Sequence, residues 1–348
     1  WWMQTRAKPS AEQRAKAEAI VADFLEKDKL GGVVLVTRGK QVVYQTCRGC
    51  SDVCEHKFFT TRTIFNLGSL SKQFISLGVM MLHEQGKLGY DDPIGKYLPE
   101  LQHFGPDVTI RHLMHHTSGL PDLYADKELK HLLLAKNGAT NADVLKLLKD
   151  RGRLKHKPGE KFLYSNTGYE VLASLIEKLS QKTLADFMEE RVFGPLKMHD
   201  TFTLRSSGEP SRKNMAHGYT QLRGQLKAVD TDPLDHILGS HSFYSTAEDM
   251  AVYDRALYSN KLVKQTTLAE AFKPIIFKDG DHWDYGFGWE IGTVDGCRFV
   301  SHQGSWLAFN VYFARFLDAH LSVIVLLNRN YDLPDDEIAQ EIGAALLK

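Results

Sequence analysis

The chain lacks any excess of charge of one sign. Its 348 residues include 43 Lys+Arg and 43 Asp+Glu, which gives a formal net charge of zero. Without a basic excess, the composition gives no support to binding of nucleic acid or of an anionic membrane surface. Long apolar runs are also absent, since none approaches the roughly 18 residues of a membrane-spanning helix, so no transmembrane segment is predicted. A signal peptide is not visible in a chain that opens with Trp1-Trp2-Met3.

Cysteine is scarce, with four in the whole chain: Cys47, Cys50, Cys54 and Cys297. Three of them cluster, but the paired knuckles of a structural zinc site are missing. We therefore expect a local disulfide or plain thiols rather than a metal site. An oxidised pair would favour a protein exported to the periplasm or cell envelope.

Several catalytic signatures are missing as well. The chain has no Gly-x-Ser-x-Gly elbow, which argues against the α/β-hydrolase fold, and no phosphate-binding loop. His83-Glu84 lacks the second histidine of a zincin. Gly286-Phe287-Gly288 lacks the rest of a dinucleotide fingerprint. These absences leave neither a cofactor nor a metal to predict.

The order of secondary-structure signals indicates the fold. Near the amino terminus, residues 33–36 and 41–46 predict a hairpin around Arg38-Gly39-Lys40, and four further strands are predicted at 286–291, 297–302, 308–316 and 321–327. Helical signals predominate between these two groups. We predict an α+β fold, in which one antiparallel sheet from both termini is flanked by helices at 11–28 and 335–347 and carries an all-helical insertion. The predicted domains are an α/β sheet domain at 1–67 plus 236–348 and a mainly helical domain at 68–235, with the active site between them.

Ser69-Leu70-Ser71-Lys72 is the most informative stretch of the chain. It places a hydroxyl and an amine on one helix face, at the start of an apolar segment at 74–82 that predicts a buried helix. Burial lowers the pKa of a lysine, and an amine of low pKa beside a serine is one way to make that serine nucleophilic. Alone the pattern is weak, because chance supplies about one match in such a chain.

Two further motifs follow in the sequence, Tyr164-Ser165-Asn166 before a helix and His302-Gln303-Gly304 in a carboxy-terminal strand. Alone, each has an ordinary structural explanation. Together, and in this order, the three motifs resemble the serine β-lactamase and penicillin-binding-protein superfamily. Within it they resemble the branch of class C β-lactamases, D-alanyl-D-alanine carboxypeptidases and D-aminopeptidases, which carries Ser-x-x-Lys, Tyr-x-Asn and Lys/His-x-Gly.

The resemblance covers roughly residues 30 to 330. Matching segments include 64–68, 109–113, 116–121, 244–246 and 285–289. Because the histidine-rich part of the chain lies within these matches, a structural role for His112, His115 and His116 is favoured over metal binding. The predicted architecture, with an active site between the sheet and the helical insertion, agrees with the fold that the resemblance implies.

The resemblance also implies a division of labour. Its catalytic residues are Ser69, Lys72, Tyr164, Asn166 and His302. Ser69 would be acylated, Asn166 would hold Lys72, and the backbone N–H groups of Ser69 and Ser305 would form the oxyanion hole. Gly304 and Trp306 would contact the substrate. Lys72 and Tyr164 both have reference pKa values near 10, so either one could be the general base after a shift of about three units.

One departure from the family pattern affects the expected substrate. The third motif has His302 where many relatives have lysine, and a neutral imidazole attracts a substrate carboxylate less than an ammonium does. We expect an acyl-enzyme-forming serine hydrolase that cleaves a small amide, D-peptide, β-lactam or ester, with more weight on peptidase, amidase or esterase activity. The alternative is a catalytically weak penicillin-binding or peptidoglycan-sensing protein. The expected partner is a small-molecule or peptide substrate, and the oligomeric state is left open.

Overall fold

The structure, a computed structural model, describes residues 9–25, 30–136, 138–205, 212–334 and 337–347. Its strands are β1 (Gly32–Arg38), β2 (Gln41–Arg48), β3 (Cys50–Asp52), β4 (Lys57–Phe58), β5 (Phe65–Asn66), β6 (Phe202–Thr203), β7 (Tyr219–Leu222), β8 (Gln225–Ala228), β9 (Phe243–Ser245), β10 (Ile275–Ile276), β11 (His282–Trp283), β12 (Glu290–Val294), β13 (Cys297–Trp306), β14 (Phe309–Phe316) and β15 (Leu321–Leu327).

The α-helices are α1 (Ala11–Leu25), α2 (Ser71–Glu84), α3 (Ile110–Met114), α4 (Lys127–Leu134), α5 (Asn141–Arg151), α6 (Asn166–Ser180), α7 (Leu184–Met188), α8 (Gly194–Leu196), α9 (Ala247–Leu257), α10 (Gln265–Glu270) and α11 (Ile338–Leu347). Short 3₁₀ turns occupy Gly68–Leu70, Ile94–Lys96, Pro99–Phe104 and Leu317–Ala319. A π-helical segment, Glu189–Phe193, separates α7 from α8.

The main sheet has six strands in the order β12-β13-β14-β15-β1-β2, and every neighbouring pair is antiparallel. β1 lies beside β15, with Val34 opposite Val325. The first and last strands of the sheet in sequence are therefore neighbours within it, which confirms a sheet built from both ends of the chain. Terminal helices α1 and α11 pack on one face, where Phe24 and Ile342 join the buried cluster that includes Val34 and Val325.

The opposite face of the sheet packs against the rest of the chain. Side chains alternate along a strand, so Val33 and Leu35 point away from α1 and join a second core cluster. That cluster contains Phe74 and Leu77 of α2, which is buried from Ser71 to Leu82. The predicted buried helix is thereby confirmed, and the sheet and the inserted helices share one core.

The insertion between the two parts of the sheet is mainly helical, with α2 to α8. It also carries β6, β7 and β8, so the expectation of an all-helical insertion is corrected. β6 pairs with one edge of β9 and β5 with the other in a small three-stranded sheet, where the ring of Phe202 stacks on that of Tyr244 directly opposite. The boundaries at 67/68 and 235/236 remain a proposal.

Some sequence predictions are adjusted at their ends. The strand predicted at 286–291 begins at Glu290, because the Gly286 N–H donates to the Trp289 carbonyl and closes a turn. The predicted helix at 11–28 is α1 as far as Leu25, and residues 26–29 lie outside the described residues. The last predicted helix is α11, with 335–336 outside the described residues, as are Trp1 to Met3.

The four cysteines are free thiols, so the local disulfide is not formed. Within the described ranges, no helix is long and apolar enough to cross a membrane. In the same part of the chain, no group of three or more His, Cys, Asp or Glu side chains is placed to hold a metal ion.

Candidate active site

Ser69 lies in the 3₁₀ turn Gly68–Leu70, directly before α2. Lys72 is one helical turn further along and has 0% exposure, because α2 is packed on all sides. The Lys72 Nζ atom lies 2.9 Å from the Ser69 Oγ atom. The three-residue spacing therefore brings the hydroxyl and the amine into hydrogen-bond contact.

Two other oxygen atoms surround the Lys72 amine. Nζ donates to the side-chain oxygen of Asn166 at 2.9 Å and to the backbone carbonyl of Ser240 at 3.2 Å. The Asn166 amide nitrogen in turn donates to Asp122 Oδ2 at 3.2 Å. Since the carboxylate accepts from that nitrogen, the amide oxygen of Asn166 has to face Lys72. Sequence analysis found Asn166 but missed Asp122 and Ser240, which no local pattern marks.

The pKa of Lys72 is far below its ordinary value. Burial lowers it to about 7, although the carboxylates of Asp122 and Glu170 act in the opposite direction. Glu170 is itself fully buried, and burial raises its pKa to about 8, so it is mostly uncharged at neutral pH. At neutral pH, Asp122 is therefore the acid that opposes the lowering of the Lys72 pKa. An amine with a pKa near 7 is available in its neutral form at the pH where a general base has to act.

The Tyr164 ring packs against Lys72 and His116. Its centroid lies 4.9 Å from Lys72 Nζ and 4.2 Å from the centroid of the His116 ring. Burial raises the pKa of the Tyr164 hydroxyl well above its ordinary value, and a hydrogen bond with Ser69 only partly opposes this rise. Tyr164 is therefore protonated at neutral pH, whereas Lys72 is partly deprotonated.

Gly68 and Gly304 allow two backbone segments to approach closely beside Ser69. A Cβ atom on Gly304 would lie 2.2 Å from the Leu67 carbonyl oxygen and 2.8 Å from the Ser69 nitrogen. A Cβ atom on Gly68 would lie 2.5 Å from the Ser305 nitrogen, and Gly68 also has a left-handed φ of +48°. Glycine is therefore required at both positions. The N–H groups expected to form the oxyanion hole belong to these two adjoining segments.

His302 lies on β13 and is 4% exposed. Its Nε2 atom is 3.1 Å from the Tyr285 hydroxyl, and its Nδ1 atom contacts the Gln303 carbonyl. Burial, together with the positive charge of Lys72, lowers the pKa of His302 to about 3, so the ring is neutral. The predicted third-motif histidine thus lies near Tyr164, with 6.2 Å between the ring centroids, but both of its nitrogens already have protein partners.

Two residues that sequence analysis left without a catalytic role join His302 to the rest of the site. The Tyr285 hydroxyl lies 3.1 Å from the Nε2 atom of His116 as well. The His116 Nδ1 atom accepts a hydrogen bond from the Ser165 backbone N–H at 3.0 Å. The sequence held one signal that could have pointed to His116 and Tyr285, because both residues fall in segments that match the family, at 116–121 and 285–289. Their contacts supply the structural role that the sequence favoured for His116.

Gly304 and Trp306, the predicted substrate-binding residues, differ in exposure. Gly304 is buried against the Ser69 segment, whereas Trp306 is half-buried. The Trp306 indole N–H donates to Asp235 Oδ1 at 2.7 Å, and its ring centroid lies 3.9 Å from that of His241. His241 follows Ser240, so one segment both contacts Lys72 and supports Trp306.

Sequence comparison identifies relatives along nearly the whole chain. The profile of the family described as Beta-lactamase matches residues 17–348. Penicillin-binding protein 4* of Bacillus subtilis (strain 168) is 33% identical over 336 residues, which cover 92% of this chain and 73% of that protein. A D-aminopeptidase of Cereibacter sphaeroides (strain ATCC 17029 / ATH 2.4.9) is 26% identical over 301 residues, which cover 86% of this chain and 56% of that enzyme. The chain thus matches little more than half the length of the D-aminopeptidase.

Structural comparison agrees with the sequence. The octameric penicillin-binding protein homologue from Pyrococcus abyssi superposes with a TM-score of 0.82 and 26% identity, over 96% of this chain and 77% of that one. The α+β fold with an antiparallel sheet is therefore of the β-lactamase/transpeptidase type, as the sequence predicted. This chain belongs to the beta-lactamase family and is a serine hydrolase of that family, with penicillin-binding-protein and D-aminopeptidase homologues.

Proposed function

We propose that this chain hydrolyses its substrate through an acyl-enzyme on Ser69, and that the substrate is a small amide, D-peptide, β-lactam or ester. The observation that carries the proposal is the 2.9 Å contact between the Ser69 hydroxyl and the buried Lys72 amine. An acyl-enzyme divides one difficult hydrolysis into two easier steps, provided that the serine loses its proton as it attacks.

Lys72 is the better candidate for the base. A neutral amine has two N–H donors, and the Asn166 side-chain oxygen and the Ser240 carbonyl can accept both. The lone pair then faces Ser69 Oγ and takes its proton as Oγ attacks the substrate carbonyl. Tyr164 is protonated when the reaction begins and gives its proton to the leaving atom. The proton held by Lys72 then replaces it on Tyr164, so the proton count balances. Water replaces Ser69 as the nucleophile in the second step.

The negative charge that develops on the substrate oxygen needs fixed donors. We assign this role to the backbone N–H groups of Ser69 and Ser305, which the contact between Gly68 and Gly304 brings into adjoining segments. Loss of one such donor typically slows a reaction about 10²- to 10³-fold. Gly304 and Trp306 then border the space beside the oxyanion hole as substrate-binding residues.

Among the possible substrates, we place D-aminoacyl amides and esters, which have no free carboxylate, first. A substrate carboxylate needs a cation or a free donor, and at the third motif it meets a neutral His302 whose two nitrogens are occupied. The D-aminopeptidase relative supports the same order. Penicillins and D-Ala-D-Ala peptides carry such a carboxylate, so we expect them to react more slowly.

A labelling experiment tests the nucleophile. The protein is incubated separately with a fluorophosphonate probe and a fluorescent penicillin, and the Ser69 peptide is analysed by mass spectrometry, with Ser69→Ala as the control. A mass increase on that peptide that is lost in Ser69→Ala is the expected result. If neither reagent modifies Ser69 in the folded protein, the proposal is wrong.

A substrate panel tests the reaction. It compares D-amino-acid amides, p-nitrophenyl esters, D-Ala-D-Ala peptides and nitrocefin, and the first two are expected to have the highest kcat/KM. Stable acylation by penicillin without turnover of any substrate would instead favour the penicillin-binding or peptidoglycan-sensing alternative.

Two further parts of the proposal concern the whole chain. We propose that residues 1–67 with 236–348 and residues 68–235 are two domains with the active site between them; Ser69 and Ser305 come from opposite sides of this division. We also propose export to the periplasm or cell envelope, which the penicillin-binding relative supports and cell fractionation tests.

A further inference from the structure

The hydrogen bonds of His116, Tyr285 and His302, which we call the His–Tyr–His relay, admit one arrangement of protons. The Ser165 N–H donates to His116 Nδ1, so this nitrogen has no proton of its own. Burial lowers the pKa of His116 well below its ordinary value, so the ring is neutral and carries its single proton on Nε2. That Nε2–H group therefore donates to the Tyr285 hydroxyl oxygen, 3.1 Å away.

The remaining bonds follow from the first. Because the Tyr285 oxygen accepts from His116, its own O–H group is free to donate to His302 Nε2, 3.1 Å away. His302 is also neutral, so its proton is on Nδ1, where the Gln303 carbonyl accepts it. The bonds all run in the same direction, from Ser165 to Gln303, and the Tyr285 hydroxyl has one further contact, with the hydroxyl of Tyr169.

The relay contacts catalytic groups at both of its ends. At one end the His116 ring stacks on Tyr164 with an interplanar angle of 30°, and Ser165 is the next residue after Tyr164. At the other end Gln303 lies on β13, two residues before Ser305. His116 is buried and holds a left-handed φ of +56°, a conformation that costs free energy for a residue with a side chain and is concentrated at functional sites.

We propose that Tyr285 is a positioning residue, whose hydroxyl joins His116 to His302 and so holds Tyr164 and the Ser305 segment in register for acylation of Ser69. The inference rests on the proposed function. Tyr285 acts through its neighbours, because its 2% exposed side chain is covered by the relay and by Phe162. Displacement of a reacting group by about 1 Å can cost about 10²-fold in rate, so a lost link in the relay should be measurable.

The test uses Tyr285→Phe, which removes one oxygen atom, and His116→Asn. The shorter asparagine suits the left-handed backbone and keeps an acceptor for the Ser165 N–H, but does not reach Tyr285. Each variant is expected to lower kcat for a p-nitrophenyl ester, and the rate of fluorophosphonate labelling, by about 10- to 100-fold, with KM changed by less than about threefold. Because the relay acts as a unit, the double variant should be no slower than the slower single variant.

Tyr90→Phe is the matched control, since Tyr90 is buried and its hydroxyl has no hydrogen-bond partner among the described residues. Tyr90→Phe should retain kcat. In a double variant with His116→Asn, the fold-change in rate should equal the product of the two single fold-changes. Two results would overturn the relay. One is a folded Tyr285→Phe variant that is labelled and turns over substrate at the rates of the unchanged protein. The other is a double variant whose loss in rate equals the product of the Tyr285→Phe and His116→Asn losses. If Tyr285→Phe does not fold, normal kcat in His116→Asn would overturn it. If Ser69 of the unchanged protein is not labelled, the proposed function fails first, which separates the two outcomes.

Discussion

Lys72 and Arg315 are both fully buried basic side chains, but their surroundings are opposite. Lys72 Nζ contacts a hydroxyl, an amide oxygen and a backbone carbonyl, all of them uncharged. The Arg315 Nε–H group instead donates to Asp254 Oδ1 at 2.7 Å, and its guanidinium lies 4.5 Å from the Tyr258 ring centroid. Burial with neutral partners favours loss of a proton, whereas burial with a carboxylate favours the charge.

The pKa values follow this difference. Burial takes the pKa of Lys72 down to about 7. Burial acts in the same direction on Arg315, but Asp254 and Tyr258 outweigh it, and the pKa of Arg315 ends above its ordinary value. One region of the core thus holds an amine that loses its proton near neutral pH, and the other holds a permanent ion pair. The comparison teaches that the bonded partner, more than the depth of burial, determines whether a buried cation can do acid–base chemistry.

Lys72→Arg should have the largest effect, because it places a cation that does not deprotonate where a neutral amine is needed. We expect kcat/KM for the best ester or amide to fall about 10²- to 10⁴-fold, the usual contribution of a general base. Lys57→Arg, at an exposed lysine, is the control and should retain full activity. Activity within threefold of the unchanged protein in Lys72→Arg would show that deprotonation at this position is not required.

Asp254→Asn tests the other half of the comparison. It leaves Arg315 buried without its carboxylate, which typically costs about 3–5 kcal/mol of unfolding free energy. Urea unfolding measures the loss, and kcat per folded molecule should not change. Asp318→Asn removes an exposed partner of Arg298 and should cost far less. Equal losses in the two variants would mean that burial does not strengthen the Arg315 pair.

Lys72→Met sharpens the comparison through the pH dependence of stability. The pKa of Lys72 is about 7 in the folded protein and has its ordinary value of 10.5 in the unfolded chain, so between these values the unfolded chain binds more protons. Unfolding free energy therefore rises with pH across this window, and Lys72 is most costly below pH 7. The stability of Lys72→Met relative to the unchanged protein should be greatest below pH 7 and decline toward pH 10.5. A difference independent of pH would contradict the low pKa.

Asp122→Asn should have the smallest effect. The negative charge of Asp122 raises the pKa of Lys72, so its removal should lower that pKa further. The acidic limb of the kcat/KM profile is then expected to move to lower pH by up to about one unit. Asp91→Asn, at an exposed acid paired with Arg111, serves as the control. A shift to higher pH would contradict the role of the Asp122 charge in raising the pKa of Lys72.

Features set by local sequence were predictable. The β1–β2 hairpin follows from two β-rich runs around Arg38-Gly39-Lys40, and β15 matches its predicted range because both of its faces are buried and its residues are apolar except for Ser322. The contact between Ser69 and Lys72 follows from helix geometry in the same way. Resemblance to a family, rather than local pattern, was needed to find Tyr164, Asn166 and His302.

Features set by packing between distant segments were not predictable. Ser240 reaches Lys72 across 168 residues of sequence, and Tyr285 reaches His116 across 169. No periodicity encodes such contacts. The partners of the two His302 nitrogens are nearer in sequence, Tyr285 at 17 residues and Gln303 next to it, but no local pattern marks these bonds. Sequence could therefore indicate a neutral imidazole but not that its hydrogen bonds are already made.

The pairing of β1 with β15 also has a consequence during synthesis. β1 is complete by Arg38, but its partner is not available until Leu327 has been added. At about 5–20 residues per second, the ribosome needs roughly 15–60 s for the intervening chain. During that interval the apolar strand 33–36 is paired with β2 along one edge, and its other edge is open. Open apolar edges are sites of aggregation. Yield of native protein should therefore depend on how fast the carboxy-terminal strands follow, and on chaperones that cover β1 until they arrive.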